Sequence, residues 1–221
     1  DGVPLQNFSE EIKVTVSSRL PKRYLQNLIR SENRETGFVR TFFIPERSAL
    51  PLTRTQIDSI RIEPRFFMRR LELYRHHDLR LVQFGGRTAD WLVAIGRVDL
   101  LANLCELIRK RGFKPLLICH WTSIVLPIAE KELEVAGYII PLNKLWGLLS
   151  LTEALDAIKN VEKPVIAMKA LANGSLTKNL QNAFTFLFEK ARVEAVMVGV
   201  SSQLQAKQTF STLATILNRD S

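Results

Sequence analysis

The stretch that most limits the fold is the last third of the chain, where strand, helix and strand follow one another. Lys163-Pro164-Val165-Ile166-Ala167-Met168-Lys169 is an apolar run entered by a proline and closed by a lysine. An amphipathic helical pattern over residues 176–191 leads to Val193-Glu194-Ala195-Val196-Met197-Val198-Gly199-Val200-Ser201-Ser202. Strands that are apolar along their length need both faces covered, which is the mark of a parallel sheet in an α/β protein. Each also runs into a loop of glycine, amide and hydroxyl groups: Ala172-Asn173-Gly174-Ser175 and Gly199-Val200-Ser201-Ser202. In a TIM-type (β/α)8 barrel, the loops after the last two strands commonly bind an anion.

The rest of the chain keeps the same rhythm. Strand patterns fall at 12–16, 38–44, 79–84, 115–120, 137–142, 165–169 and 195–200. Helical patterns fall at 20–30, 66–74, 89–111, 122–134, 154–161 and 203–217. Gly96 divides the long one at 89–111, and Gly112 ends it. Thr88 and Asp90 are expected to cap its start; the alternative for Asp90 is to orient a substrate or a base. Pro127 is expected to kink the next helix or mark its true start, and Ser150 to cap the one after. Alternating strands and helices imply right-handed crossovers, in a closed barrel or a doubly wound layer. No Gly-x-Gly-x-x-Gly follows an early strand, which favours the barrel. Seven strand patterns are present instead of eight, so the first strand is missing or degenerate within residues 1–9. Residues 45–64, with three prolines, form an irregular connection holding a short helix at 53–60. With no repeat or linker, the whole of 1–221 is expected to be a single α/β barrel domain.

Composition bounds the partners. The formal net charge is +9 over 221 residues, which favours anions. Arginines gather early, at Arg19, Arg23, Arg30 and Arg34, then at Arg61, Arg65, Arg69, Arg70, Arg75 and Arg80. No aromatic-and-basic motif for nucleic acid accompanies them. No apolar run reaches the roughly 18 residues of a membrane span, and no export signal opens the chain. Cys105, in a helical pattern, and Cys119, in a strand, read as reduced core thiols of a cytoplasmic protein. Oligomeric state is not legible.

Residues 163–174 and 195–204, with their Lys-Pro-apolar strand and their Val-Gly-Val-Ser-Ser strand, resemble the closing strands of the aldo/keto reductase superfamily. In that superfamily such strands frame a nucleotide-phosphate site. Gly85-Gly86-Arg87-Thr88-Ala89-Asp90, Cys119-His120-Trp121 and Pro141-Leu142-Asn143-Lys144 look like a divergent, reductase-like barrel group. The resemblance covers about residues 78–215. It implies hydride transfer with NADPH. The family's Asp, Tyr, Lys and His tetrad has no counterpart, because the early strands end in Ser17-Ser18, Pro45-Glu46 and Gln83-Phe84.

The C-terminal strand ends of a barrel hold its site, and this rule selects the candidates. His120 would serve as acid or base. One histidine makes no metal site, so no metal is expected. Lys169 would act as nucleophile, electrophile or anion ligand. Arg87, after two glycines that open space, would clamp a carboxylate or phosphate. Asn143 would offer an amide. Asn173, Gly174, Ser175, Gly199, Ser201 and Ser202 would cradle an anion at a helix N-terminus. The expected function is a small-molecule enzyme acting on a phosphorylated or carboxylated metabolite, by NADPH-dependent reduction or a lyase or isomerase step. The alternative is a catalytically degenerate barrel that binds a polyanion, such as nucleic acid or an acidic surface, or a protein partner.

Overall fold

The computed structural model describes residues 51–73, 80–147 and 150–218. The patterns expected at 12–16, 20–30 and 38–44 lie outside the described residues, as do the early arginines up to Arg34 and Arg75. Five strands lie parallel: β1 (Leu81–Gly85), β2 (Lys114–Ile118), β3 (Gly137–Asn143), β5 (Val165–Met168) and β6 (Ala195–Val196). A short β4 (Trp146–Gly147) turns back antiparallel on the end of β3. The helices are α1 (Arg54–Ser59), α2 (Arg65–Glu72), α3 (Arg87–Ala94), α4 (Val98–Arg109), α5 (Thr122–Glu132), α6 (Leu151–Lys159), α7 (Leu180–Thr185) and α8 (Gln203–Leu217). A π turn, Phe186–Lys190, extends α7.

The spatial order β1-β2-β3-β5-β6 repeats the chain order without reversal. A doubly wound sheet reverses direction at a switch point; a singly wound one does not. With right-handed crossovers, an unreversed order stacks the connecting helices on one face. The helices accordingly pack as one layer: α3 against α4 and α5, α5 against α6, and α7 against α8. Beneath them lies a continuous core in which Val82, Phe84, Leu117, Cys119, Ile140 and Ala167 meet Leu92, Leu101, Ile108, Val125 and Leu126. The alternate strand residues Leu116, Ile118, Ile139, Ile166 and Met168 stand outside that cluster. They give the sheet a second apolar face, as the uninterrupted apolar runs require.

Gly96 splits the long helix as expected, and Gly112 (φ +81°) ends its second half. Pro127 instead sits inside α5, where its missing N–H leaves the Ser123 carbonyl without its helical donor. The connection at 51–64 is ordered by Thr53, which forms a capping box with Gln56 at the start of α1.

The break after Gly96 has a further use. Arg97 is buried, and its Nη1 donates to the carbonyls of Ile57 (2.6 Å) and Ile60 (3.2 Å) at the end of α1. Its Nε and Nη2 grip Asp99, each at 2.8 Å. One guanidinium thus satisfies helix-end carbonyls and fastens residues 51–62 to the helical layer.

The N-terminal ends of the strands are tied by Glu130. It accepts from the Tyr138 hydroxyl (2.5 Å), Lys163 Nζ (2.9 Å) and the Glu162 N–H (2.9 Å). Burial pushes this carboxyl up, but the hydrogen bonds from Tyr138, the Glu162 N–H and Lys163 outweigh it, and its pKa lies below the ordinary value. Burial and the facing Glu130 push the Tyr138 phenol up.

Two outcomes follow. Arg97→Ala should lower stability by about 2 kcal/mol, read as a lower urea midpoint at unchanged slope, and Arg97→Lys should recover under half of it. Because the folded pKa of Glu130 is depressed, its contribution is complete above the ordinary carboxylate range and is lost as pH falls through the folded value. The stability gap between wild type and Glu130→Gln should therefore be widest at neutral pH and close below about pH 4.

Candidate functional site

The site is built where β1 turns into α3. Gly85 adopts φ +97°, and a Cβ there would stand 2.8 Å from the Ile118 carbonyl oxygen and 3.0 Å from the Ala89 Cβ. Only glycine permits that approach. The Gly86 N–H then donates to the same Ile118 oxygen at 2.8 Å. This double glycine lays the first turn of α3 over the end of β2.

Neither Thr88 nor Asp90 caps α3; Gly86 occupies that position without a side-chain bond. Asp90 lies one turn in, 1% exposed, and faces the residues beyond β2. Its Oδ1 accepts the backbone N–H groups of His120 (2.8 Å) and Trp121 (3.1 Å). Its Oδ2 is 3.0 Å from His120 Nδ1. A carboxylate only accepts, so Nδ1 carries a proton, which in the neutral ring leaves the lone pair on Nε2. The His120 side chain retains 19% exposure. Gly86 leaves room beside it, since a Cβ there would be 3.8 Å from the imidazole Cε1. One acid therefore fixes the backbone, the ring orientation and the tautomer.

Lys169 follows the last residue of β5 in a left-handed conformation, φ +57°, and is half-buried. Its carbonyl accepts from Asn143 Nδ2 at 3.2 Å, while Asn143 Oδ1 accepts the Leu145 N–H at 3.0 Å. Asn143 is fully buried. The amide expected to face an anion instead joins the loops after β3 and β5. Next to it, Lys144 donates from Nζ to Asn182 Oδ1 at 2.6 Å.

The closing loops are exposed at Asn173, Gly174, Ser175, Gly199, Ser201 and Ser202. Ala172 and Asn173 are left-handed, at φ +48° and +53°. Ser202 caps α8 by accepting the Gln205 N–H at 3.2 Å. Ser201 donates its N–H (2.9 Å) and hydroxyl (2.8 Å) to Gln205 Oε1. Arg87 is exposed on the first turn of α3. Because the strands are parallel, His120, Lys169, Asn143 and both closing loops share one end of the sheet.

The start of α7 and the first three turns of α8 line an open cleft of about 710 Å³. Lys178 and Asn179 stand on one wall, Lys207, Gln208 and Ser211 on the other, with Leu180 and Leu204 between them. The sequence reading missed both lysines, since nothing in their spacing separates them from a solvated helix face. It also missed Arg97, whose one signal is a cation directly after a helix-breaking glycine. Among the described residues, no cluster of His, Cys, Asp or Glu is placed to hold a metal ion. Nor is any described helix long and apolar enough to cross a membrane. Both cysteines are free and buried.

Against solved structures, the chain is similar to the aldo-keto reductase AKR11C1 from Bacillus halodurans in its holo form. The likeness is distant. Identity is 15%, the TM-score is 0.48, and the match covers 66% of this chain and 56% of the reductase. The chain thus spans little more than half the length of that enzyme. No family model and no curated protein matches the sequence.

The geometry yields a spectroscopic outcome. Nitrogen-15 spectra of neutral wild-type protein should show His120 protonated at Nδ1. Asp90→Asn, which can turn an N–H toward the ring, should shift it to the Nε2–H tautomer, whatever the reaction proves to be.

Proposed function

We propose that the chain is an enzyme of the α/β-barrel type that moves a proton at His120 on an anionic small molecule. The observation that carries this reading is the Asp90–His120 pair: a nearly buried carboxylate on Nδ1 and a partly exposed ring that, when neutral, carries its lone pair on Nε2. That is the arrangement of a general base held in one tautomer. The unreversed strand order and the second apolar face support closure into a barrel across residues 1–221. In that reading the strand ends around His120 form the mouth.

The anion is assigned to the closing loops. Lys178 and Lys207 place full positive charges on opposite walls of the cleft between α7 and α8. Asn173, Gly174, Ser175, Gly199, Ser201 and Ser202 border the same end, Lys169 adds a cation at the end of β5, and Arg87 stands after β1 at the far edge of the described sheet. A phosphate or carboxylate suits this donor set. The phosphates of a nicotinamide nucleotide suit it too, and such a cofactor, when bound, would supply a hydride. His120 would then be the proton donor, since no described tyrosine occupies the mouth: Tyr138 lies at the opposite end of the sheet, bonded to Glu130.

The polyanion-binding alternative draws less from the structure. Arg65 and Arg69 share an exposed face of α2, but Arg65 Nε lies 3.4 Å from Glu63.

Incubation in deuterium oxide with a panel of phosphorylated and carboxylated carbonyl metabolites, with and without NADPH, tests the proposal. The expected result is enzyme-dependent turnover or deuterium incorporation that falls by about 10²–10⁴-fold in His120→Asn. Turnover that survives this substitution would contradict it.

A further inference from the structure

The first turn of α5, two residues after His120, holds polar groups that the fold does not use. Trp121 stands at the N-cap position and makes no side-chain bond there. Asp90 takes the N–H groups of His120 and Trp121, and the Ile124 N–H turns back to the Trp121 carbonyl at 2.9 Å. Between them, the N–H groups of Thr122 and Ser123 take no partner among the described residues. Free N–H groups alone are ordinary at a helix start. Here the side chains add a second observation. Thr122 is fully buried, and both its Oγ1 and the buried Oγ of Ser123 lack a hydrogen-bond partner. Helical Cα–Cβ bonds tilt toward the N-terminus, so hydroxyls at the first two positions stand over that end of α5. Two hydroxyls and two N–H groups without partners in one turn point to an acceptor from outside the chain. Ser123 and His120 are both partly exposed, so solvent reaches the turn on that side.

The acceptor is an oxygen, and Asp90 decides its charge. Because α3 packs against α5, the Asp90 carboxylate and this turn share the ground beyond the end of β2. A full anion there would be repelled while the His120 ring is neutral. A carbonyl oxygen is not, and it gains negative charge only as the ring gains a proton. We infer that the first turn of α5 receives the carbonyl oxygen of the substrate, and that His120 acts on a C–H bond next to that carbonyl. Nε2 takes the proton, the C–H electron pair forms the carbon–carbon double bond of an enolate, and the carbonyl π pair moves to oxygen. The N–H and hydroxyl donors of Thr122 and Ser123 hold that oxygen while the imidazolium stands against Asp90. Return of the proton to carbon restores the carbonyl and needs no other reactant. The inference rests on the proposed role of His120 and adds the substrate class: an aldehyde, ketone or keto acid with an adjacent C–H bond.

The test titrates hydroxyacetone, a neutral ketone with such a C–H bond, into the intact nitrogen-15-labelled chain. The Thr122 and Ser123 amide protons should move downfield together along one saturating curve. Thr122→Val, which exchanges the hydroxyl for a methyl of similar size, should weaken this binding by about fivefold. Because the hydroxyl has no partner to lose, the same variant should not lower the urea midpoint. Thr122→Ser keeps the hydroxyl and should bind like wild type. An α5 that does not respond to the ketone, or a Thr122→Val chain that is destabilised yet binds normally, would overturn the inference. If α5 responds and Thr122→Val weakens binding while deuterium exchange ignores His120, the subsite stands and the proposed chemistry fails. If exchange needs His120 while α5 does not respond, only the subsite fails.

Discussion

The arrangement depends on one buried carboxylate. Asp90 leaves water to accept two backbone N–H groups and an imidazole. A buried acid is tolerated only when such donors replace its hydration. Its position is possible because Gly85 and Gly86 let α3 begin against the Ile118 carbonyl, closer than any side chain would allow. Removing the carboxylate would free the ring and also strand the N–H groups of His120 and Trp121 at the head of α5. Local structure and candidate chemistry are thus fixed by the same atoms.

The two ends of the sheet divide their labour. At the N-terminal end, charged groups neutralise one another: Glu130 gathers Lys163 and Tyr138, and the carboxylate of Glu194 accepts the Val165 N–H at 2.5 Å. These bonds pin strands and leave little unspent charge. At the C-terminal end, Asn143 ties two loops, the partly exposed His120 ring lies against Asp90, and Lys178 and Lys207 line the cleft between α7 and α8. Stability at one end and reactivity at the other is the usual division in parallel α/β proteins. Here it follows from the bonds of particular residues.

Much of the fold was legible in the sequence because parallel strands announce themselves. The pattern at 165–169 lies on β5, the one at 195–200 shortens to Ala195–Val196 in β6, Ser150 and Ser202 cap the helices they precede, and Gly96 breaks the long helical pattern. Closure of the barrel goes beyond the five parallel strands of the described residues, since the patterns at 12–16 and 38–44 lie outside them. Pro127 lies within α5, which runs past it at the loss of one hydrogen bond. Asp90 misled because capping and long-range acceptance look alike in one dimension: an acid near a helix start satisfies both patterns, and only the pairing of β1 with β2 brings His120 to it. Asn143 was read as an amide for an anion, and its partner in the structure, a backbone carbonyl 26 residues away, has no sequence signal.

The central claim is that Nε2 of His120 is the reactive nitrogen of a ring anchored through Nδ1. Its most direct measurement is reaction of the native chain with diethyl pyrocarbonate, with the adduct located by mass and by nitrogen-15 shift. The account predicts an adduct on Nε2 of His120, formed more slowly when an anionic substrate analogue fills the mouth. An adduct on Nδ1, or a His120 that stays unmodified while the protein remains folded, would contradict it.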